Sequence, residues 1–368
     1  MASVTIKDVG KVYRGGVEAV KHMDIQIKDG EFMCLLGPSG CGKSTTMRMV
    51  AGLEEITSGE IFIGDTCVNK LSPGQRDIAM AFENYALYPN MNIYKNIAFP
   101  LKIRKVPQDE IDRKVHEVAK LLDIESILDQ SVKGLSGGVQ QRVGVARALV
   151  CNPKVLILDE PISHLEEELK AKMREELLRI QRLLAVTTLY VTHDQIEAMV
   201  MSDRIAIMNK GELQQIDTPE NVYRNPANVF VGGFIGEPPM GFFKCSFHHK
   251  DRTLEFNDIK FSFTGKAADQ IAALGVTELI LGVRHAHVKI SKSAQEGDIP
   301  GSVFFIEPRN EEMLLNINLG ATHLLVTAPM DKSVKIGDDI HLMFNYDKCS
   351  YFDSQTEKNL LGVEYGKR

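Results

Sequence analysis

The chain has 368 residues, enough for two or three domains, and 44% hydrophobic residues supply ordinary buried cores. A formal net charge of -6 gives no overall pull toward nucleic acid, so no nucleic-acid partner is expected. No apolar run approaches about 18 residues and MASVTIKDVG lacks a signal-peptide pattern, so any membrane contact is expected to be peripheral.

In chain order, residues 1–235 mix short strands with amphipathic helices and predict an α/β domain. Tyr13, in KVYRGG, is an isolated aromatic near the start. Next, EFMCLLGPSGCGKST sets an apolar strand, a glycine-rich turn and a helix beginning at Lys43 in the order that a phosphate loop requires. Gly37, Gly40 and Gly42 let the backbone around Pro38, Ser39 and Cys41 turn its N–H groups toward phosphate oxygens. Lys43 would reach the β- and γ-phosphates, Ser44 would offer its hydroxyl to Mg²⁺, and Thr45 closes the motif. A thiol at Cys41 is expected to react with bulky reagents and to be shielded by bound nucleotide.

A mostly helical insert is expected over residues 84–134, where Ile111, Val115, Val118, Ala119 and Leu122 share one helical face after Pro107. LSGGVQQR then places Ser136, Gly137 and Gly138 ahead of another helix, a second phosphate-binding design in one domain. An ordinary helix cap would explain Ser136 alone. VLILDEP ends a doubly buried strand in Asp159 and Glu160. Asp159 suits Mg²⁺ held through water, and Glu160 suits polarisation of the water attacking a γ-phosphate. TTLYVTHD ends a further strand at His193, placed to contact the γ-phosphate or hold that water. Beyond GEPPMGFF, residues 236–368 read as strand after strand, as in SVFFIEP, EMLLNINL, HLLVTAP and DIHLMF, and predict a smaller β-rich domain. Six scattered cysteines without a C-x-x-C pair argue against a zinc or disulfide framework and fit a reducing cytoplasm.

Taken together, GPSGCGKST, LSGGVQQR, LILDEP and VTHD resemble the ATP-binding subunits of ABC transporters. The segments AFENYALYPNMNIYKNIAFPL and DTPENVYRNPANVFVGGFIGEPPM are similar to importers of the maltose and glycerol-3-phosphate type, so the resemblance spans nearly the whole chain. It implies a P-loop ABC-type domain with an OB-like regulatory domain after it, and ATP with Mg²⁺ as cofactors. Two such domains pack head to tail in that family. Ser136, Gly137 and Gly138 would therefore grip the nucleotide of a partner chain, and Tyr13 would stack on adenine. The implied partners are a second ABC subunit, most simply a copy of this chain, two transmembrane permease subunits, and indirectly an extracytoplasmic solute-binding protein. The implied place is the cytoplasmic face of the membrane, with permease contact near Tyr85, Ala86, Leu87 and Tyr88 on an exposed apolar patch.

Three residues depart from the family pattern: Glu83 for glutamine, Val139 in the signature, and Glu166 for aspartate. Glu83 would stand near Mg²⁺ and add negative charge beside Glu160, predicting low basal turnover. These departures motivate an alternative, an ATP-binding regulator or scaffold with weak hydrolysis. Another keeps the importer and changes its cargo to a non-sugar solute.

Overall fold

Residues 2–81, 86–163, 165–293 and 298–362 are described by the computed structural model. The first unit, Met1–Pro219, begins β1 (Val4–Val12), β2 (Glu18–Ile27), β3 (Phe32–Leu36), α1 (Lys43–Ala51), β4 (Ser58–Ile63), β5 (Thr66–Cys67) and β6 (Ile78–Ala81). It continues α2 (Ile93–Ile103), α3 (Gln108–Leu121), α4 (Gly137–Leu149), β7 (Val155–Asp159), α5 (Glu167–Leu184), β8 (Thr187–Thr192), α6 (Gln195–Met201), β9 (Arg204–Asn209) and β10 (Glu212–Asp217).

Two sheets result. An antiparallel sheet has the order β2-β1-β4-β5, and a second sheet has the order β10-β9-β3-β8-β7-β6, parallel except at β10. The runs predicted as doubly buried are its central strands, because helices must cover both faces of a parallel sheet. Met33, Leu35, Ile157, Leu189 and Val191 share one apolar core with Met47 and Val50 of α1. In the expected insert, α3 starts after Pro107 and buries Ile111, Val115, Val118 and Ala119, as its 3.6-residue period predicts.

The second unit, Glu220–Arg368, follows α7 (Pro219–Arg224) with α8 (Val229–Phe234), β11 (Gly241–His248), β12 (Thr253–Phe256), β13 (Ile259–Ser262) and α9 (Lys266–Ala273). Next come β14 (Glu278–Val283), β15 (Val288–Ser291), β16 (Ile299–Arg309), β17 (Glu312–Leu319), β18 (Thr322–Pro329), β19 (Asp339–Phe344) and β20 (Ser350–Asp353). They form two five-stranded antiparallel sheets, β13-β12-β11-β14-β20 and β15-β19-β16-β17-β18. Phe243, Phe261, Leu281, Leu315, Val326 and Phe344 lie in their common core. The sequence reading divides the chain at 235/236, whereas the units divide at 219/220. Residues 220–235 go with the β-rich unit because buried Arg284 binds the Tyr223, Gly232 and Ile235 carbonyls.

Candidate active site

Three neighbouring strands end side by side. In the order β3-β8-β7, Leu36 lies opposite Thr192 and Asp159 opposite Val191. The glycine-rich loop, His193 and the Asp159–Glu160 pair therefore leave one edge of the sheet, at the carboxyl ends where open α/β sheets bind ligands.

From Leu36 the chain turns into α1, which begins at Lys43 as predicted. Two glycines are forced by close approach. A Cβ on Gly37 would lie 2.3 Å from the Met208 carbonyl oxygen, and on Gly42, at φ +106°, it would lie 2.5 Å from that of Ala19. Pro38 and Thr45 are half-buried, while Ser39, Gly40 and Ser44 are exposed. Lys43 is 5% exposed, and its Nζ donates to the Gly37 and Pro38 carbonyls at 2.7 and 3.0 Å, which fixes the ammonium against the loop. The N-terminus of α1 adds its positive end to that charge.

Cys41 corrects one expectation. It is only 3% exposed, and burial pushes its thiol above the usual pKa although Lys43 opposes this. A buried, protonated sulfur is a slow nucleophile, so its side chain packs under the loop rather than standing open to reagents. Tyr13 is half-buried with its hydroxyl 3.4 Å from Thr45 Oγ1, and Lys11 Nζ lies 4.9 Å from its ring centroid. The ring thus stands by the first turn of α1, with a cation over it.

Asp159 is the last residue of β7. Glu160 follows at φ +44°, a conformation that costs a non-glycine residue roughly 1 kcal/mol. Its N–H donates to Val191 O at 2.9 Å, and the Ser163 amide and hydroxyl donate to its carbonyl. The turn so fixed sets Glu160 Oε2 2.9 Å from His193 Nδ1. Among the described residues no cluster of three His, Cys, Asp or Glu side chains forms a metal site. A hydroxyl at Ser44 and a carboxylate at Asp159 are the hard oxygen donors that Mg²⁺ takes alongside phosphate and water, so the donor set fits that ion.

Glu197 escaped the sequence reading. Asp194 caps α6 by accepting from the Ile196 and Glu197 amides, so DQIE looks like a plain capping box. The Glu197 carboxylate instead turns inward, 1% exposed, and accepts from Tyr190 Oη at 2.8 Å and Thr192 Oγ1 at 2.7 Å. It ties α6 to β8 across the turn that carries His193. Burial raises its pKa, against the two hydrogen bonds. The folded value therefore exceeds the unfolded one of about 4.3. The linked stability is fully present below the unfolded pKa and is lost as pH rises through the folded one. Glu197→Gln keeps an acceptor for both hydroxyls and cannot ionise. Its melting temperature relative to wild type is expected to rise as pH is increased above the unfolded carboxylate value of about 4.3. A constant difference in thermal denaturation would contradict this burial account.

Ser136 is the N-cap of α4 and exposed, with its carbonyl accepting from Gln140 N at 3.0 Å, but its side chain makes no capping hydrogen bond. The plain-cap explanation for this serine therefore lacks its defining bond. Gly137 is held close, since a Cβ there would lie 2.9 Å from Leu165 Cδ2, and Gly138 is buried. Helix α4 packs on α2, α3 and edge strand β6, three strand positions from β3. At about 4.8 Å per strand this is roughly 14 Å across the sheet.

Glu83 and Tyr85 lie outside the described residues. Of their neighbours, Ala86 and Tyr88 are exposed and Leu87 is half-buried. The Tyr88 ring packs tilted against Phe99, with centroids 4.6 Å apart, and lies 5.2 Å from the Arg147 guanidinium. Arg147 Nη1 donates to Ala86 O at 2.8 Å, and buried Asn96 binds both Tyr88 N and O. The patch is thus fastened to the helix that carries the signature, which its apolar letters do not reveal.

Residues 20–163 match the ABC transporter family. Over 97% of this chain and 99% of the relative, the protein is 44% identical to the trehalose/maltose import ATP-binding protein MalK of Thermococcus litoralis. It is 43% identical to the sn-glycerol-3-phosphate import ATP-binding protein UgpC of Bordetella avium, over 93% of this chain and 94% of that one. Among solved structures, cbiO1 of Clostridium perfringens is 29% identical with a TM-score of 0.57, covering 60% of this chain and 90% of its own. A dimeric, ADP- and phosphate-bound form of the ATP-binding cassette MJ0796 is 30% identical, with a TM-score of 0.52 over 59% and 98%. The chain belongs to the ABC transporter family. It is an ATPase of the ABC type, and its first unit has the corresponding α/β fold. No helix among the described residues is long and apolar enough to cross a membrane.

Proposed function

We propose that this protein is the ATP-hydrolysing subunit of an importer for sugars or related polyol or glycerophosphate solutes, working as a homodimer on two permease subunits at the cytoplasmic face of the membrane. A solute-binding protein delivers the cargo, and the β-rich unit is regulatory. The observation that carries the hydrolytic part is the Glu160–His193 contact beside the loop of Lys43, at the ends of β7, β8 and β3. The names of the near-full-length relatives support the solute class.

In this reading the loop amides from Gly37 to Thr45 and the Lys43 ammonium hold the β- and γ-phosphates, with Tyr13 against the adenine. Ser44 and Asp159 would hold Mg²⁺, which supplies neutralisation of phosphate charge when bound. Glu160 orients the attacking water and draws its proton, and His193 fixes the carboxylate while facing the γ-phosphate. The exposed Ser136 hydroxyl and the Gly137 and Gly138 amides reach the γ-phosphate on the partner chain. Binding energy then couples to dimer closure, because only the closed pair makes these contacts.

Cargo is tested by deleting the gene and following uptake of labelled maltose, trehalose, glycerol 3-phosphate, sulfate and spermidine. Loss confined to a sugar or the glycerophosphate is expected. Loss confined to sulfate or spermidine would overturn the solute class.

A further inference from the structure

The second unit contains a cavity whose donors outnumber their partners. Three hollows surround the turn Tyr346–Lys348, and the most enclosed, of about 300 Å³, is lined in part by Tyr223, Arg224, Arg284, His287, Asp347 and Lys348. Arg284 is 2% exposed and stacks on the Tyr223 ring at 4.2 Å. Its terminal nitrogens donate to the Tyr223, Gly232 and Ile235 carbonyls, which explains one edge of the guanidinium. Its Nε has no partner, nor does His287 Nδ1, although both are buried. Buried polar atoms are ordinarily paired, and the Arg284 Nε–H, which can only donate, calls for an acceptor beside this cavity.

The charge also lacks an answer. Arg284 is held by neutral carbonyls, Arg224 is paired with Glu220 at 3.1 Å, and no ion pair of Lys348 occurs among the described residues. Asp347 is the only acid among the described residues of the lining. The imidazole of His287 is held below its usual pKa by burial first, then by the charges of Lys348, Arg284 and Arg224, against a hydrogen bond to the Lys348 backbone. A helix-end cap accounts for Arg284 Nη1 and Nη2 but not for Nε, His287 or Lys348.

We propose that this cavity binds a small phosphate-bearing anion, with Lys348 and Arg224 supplying charge, Arg284 Nε donating a hydrogen bond and the His287 ring closing the lining. Phosphate suits it better than carboxylate because donors converge from separate elements, and three terminal oxygens can meet them at once. The volume leaves room for an organic body beyond the phosphate. The site lies wholly in the second unit and stands independently of the ATPase reading.

The test is equilibrium dialysis of the full-length protein carrying Lys43→Ala to disable its nucleotide site, against labelled inorganic phosphate, glucose 6-phosphate and succinate. Lys348 and Asp347 are both exposed, so substitutions there leave the fold intact. Saturable binding of both phosphates is expected, roughly tenfold weaker in Lys348→Ala and severalfold tighter in Asp347→Asn. Opposite responses from adjacent residues distinguish a charge-selective site from a structural disturbance. Absence of saturable phosphate binding, identical binding with and without either substitution, or succinate bound as tightly as phosphate would overturn the proposal.

Discussion

Glu160→Gln is expected to retain ATP binding while lowering turnover about a thousandfold, equivalent to about 4 kcal/mol in activation free energy. Glutamine has the same outline and can keep the contact with His193 Nδ1, which lies 2.9 Å from the carboxylate. It cannot draw a proton from water, so the hydrolytic step alone is disabled. The turn should survive, because its backbone is fixed by Val191 and Ser163 rather than by the side chain. An ATP-bound dimer is then expected to accumulate. Phosphate release and nucleotide binding measured together check this, and hydrolysis at the wild-type rate would remove Glu160 from the catalytic role.

A second large effect is expected for Ser136→Arg, a drop of at least about a hundredfold in turnover, comparable to losing one donor to a transition-state oxyanion. Replacing an N-cap serine ordinarily costs about 1 kcal/mol because its side-chain hydrogen bond is lost. Ser136 makes no such bond, so the melting temperature should change little. Nor should a single chain lose its own nucleotide, since α4 rests on β6 and not on β3. Turnover, nucleotide affinity and thermal denaturation separate these expectations. Full turnover in the variant would refute a role for Ser136 in the reacting site.

The central strands were legible because β3, β7 and β8 are apolar on both faces, and α3 because its buried residues keep one helical period. The phosphate loop was legible because Gly37 and Gly42 are demanded by backbone contacts within 2.5 Å. What depended on strand order was not. The Glu160–His193 contact requires β7 beside β8, and Glu197 reads as a surface cap until Tyr190 and Thr192 are seen to point at it. Cys41 looked reactive from its place in the loop, whereas packing decides its exposure. The attachment of α7 and α8 was not legible, because it is made by Arg284, which lies 52 residues beyond Gly232 and 61 beyond Tyr223.

The account centres on a site shared between two chains, and mixing two inactive variants tests this most directly. Ser136→Arg chains are combined with Lys43→Ala chains and ATP turnover by the mixed dimers is measured. If each nucleotide lies between one chain's loop and the other chain's signature, a mixed dimer has one doubly damaged site and one intact site, and hydrolysis at the intact site returns. Were loop and signature of the same chain to act together, every site would keep a single defect and mixing would restore nothing.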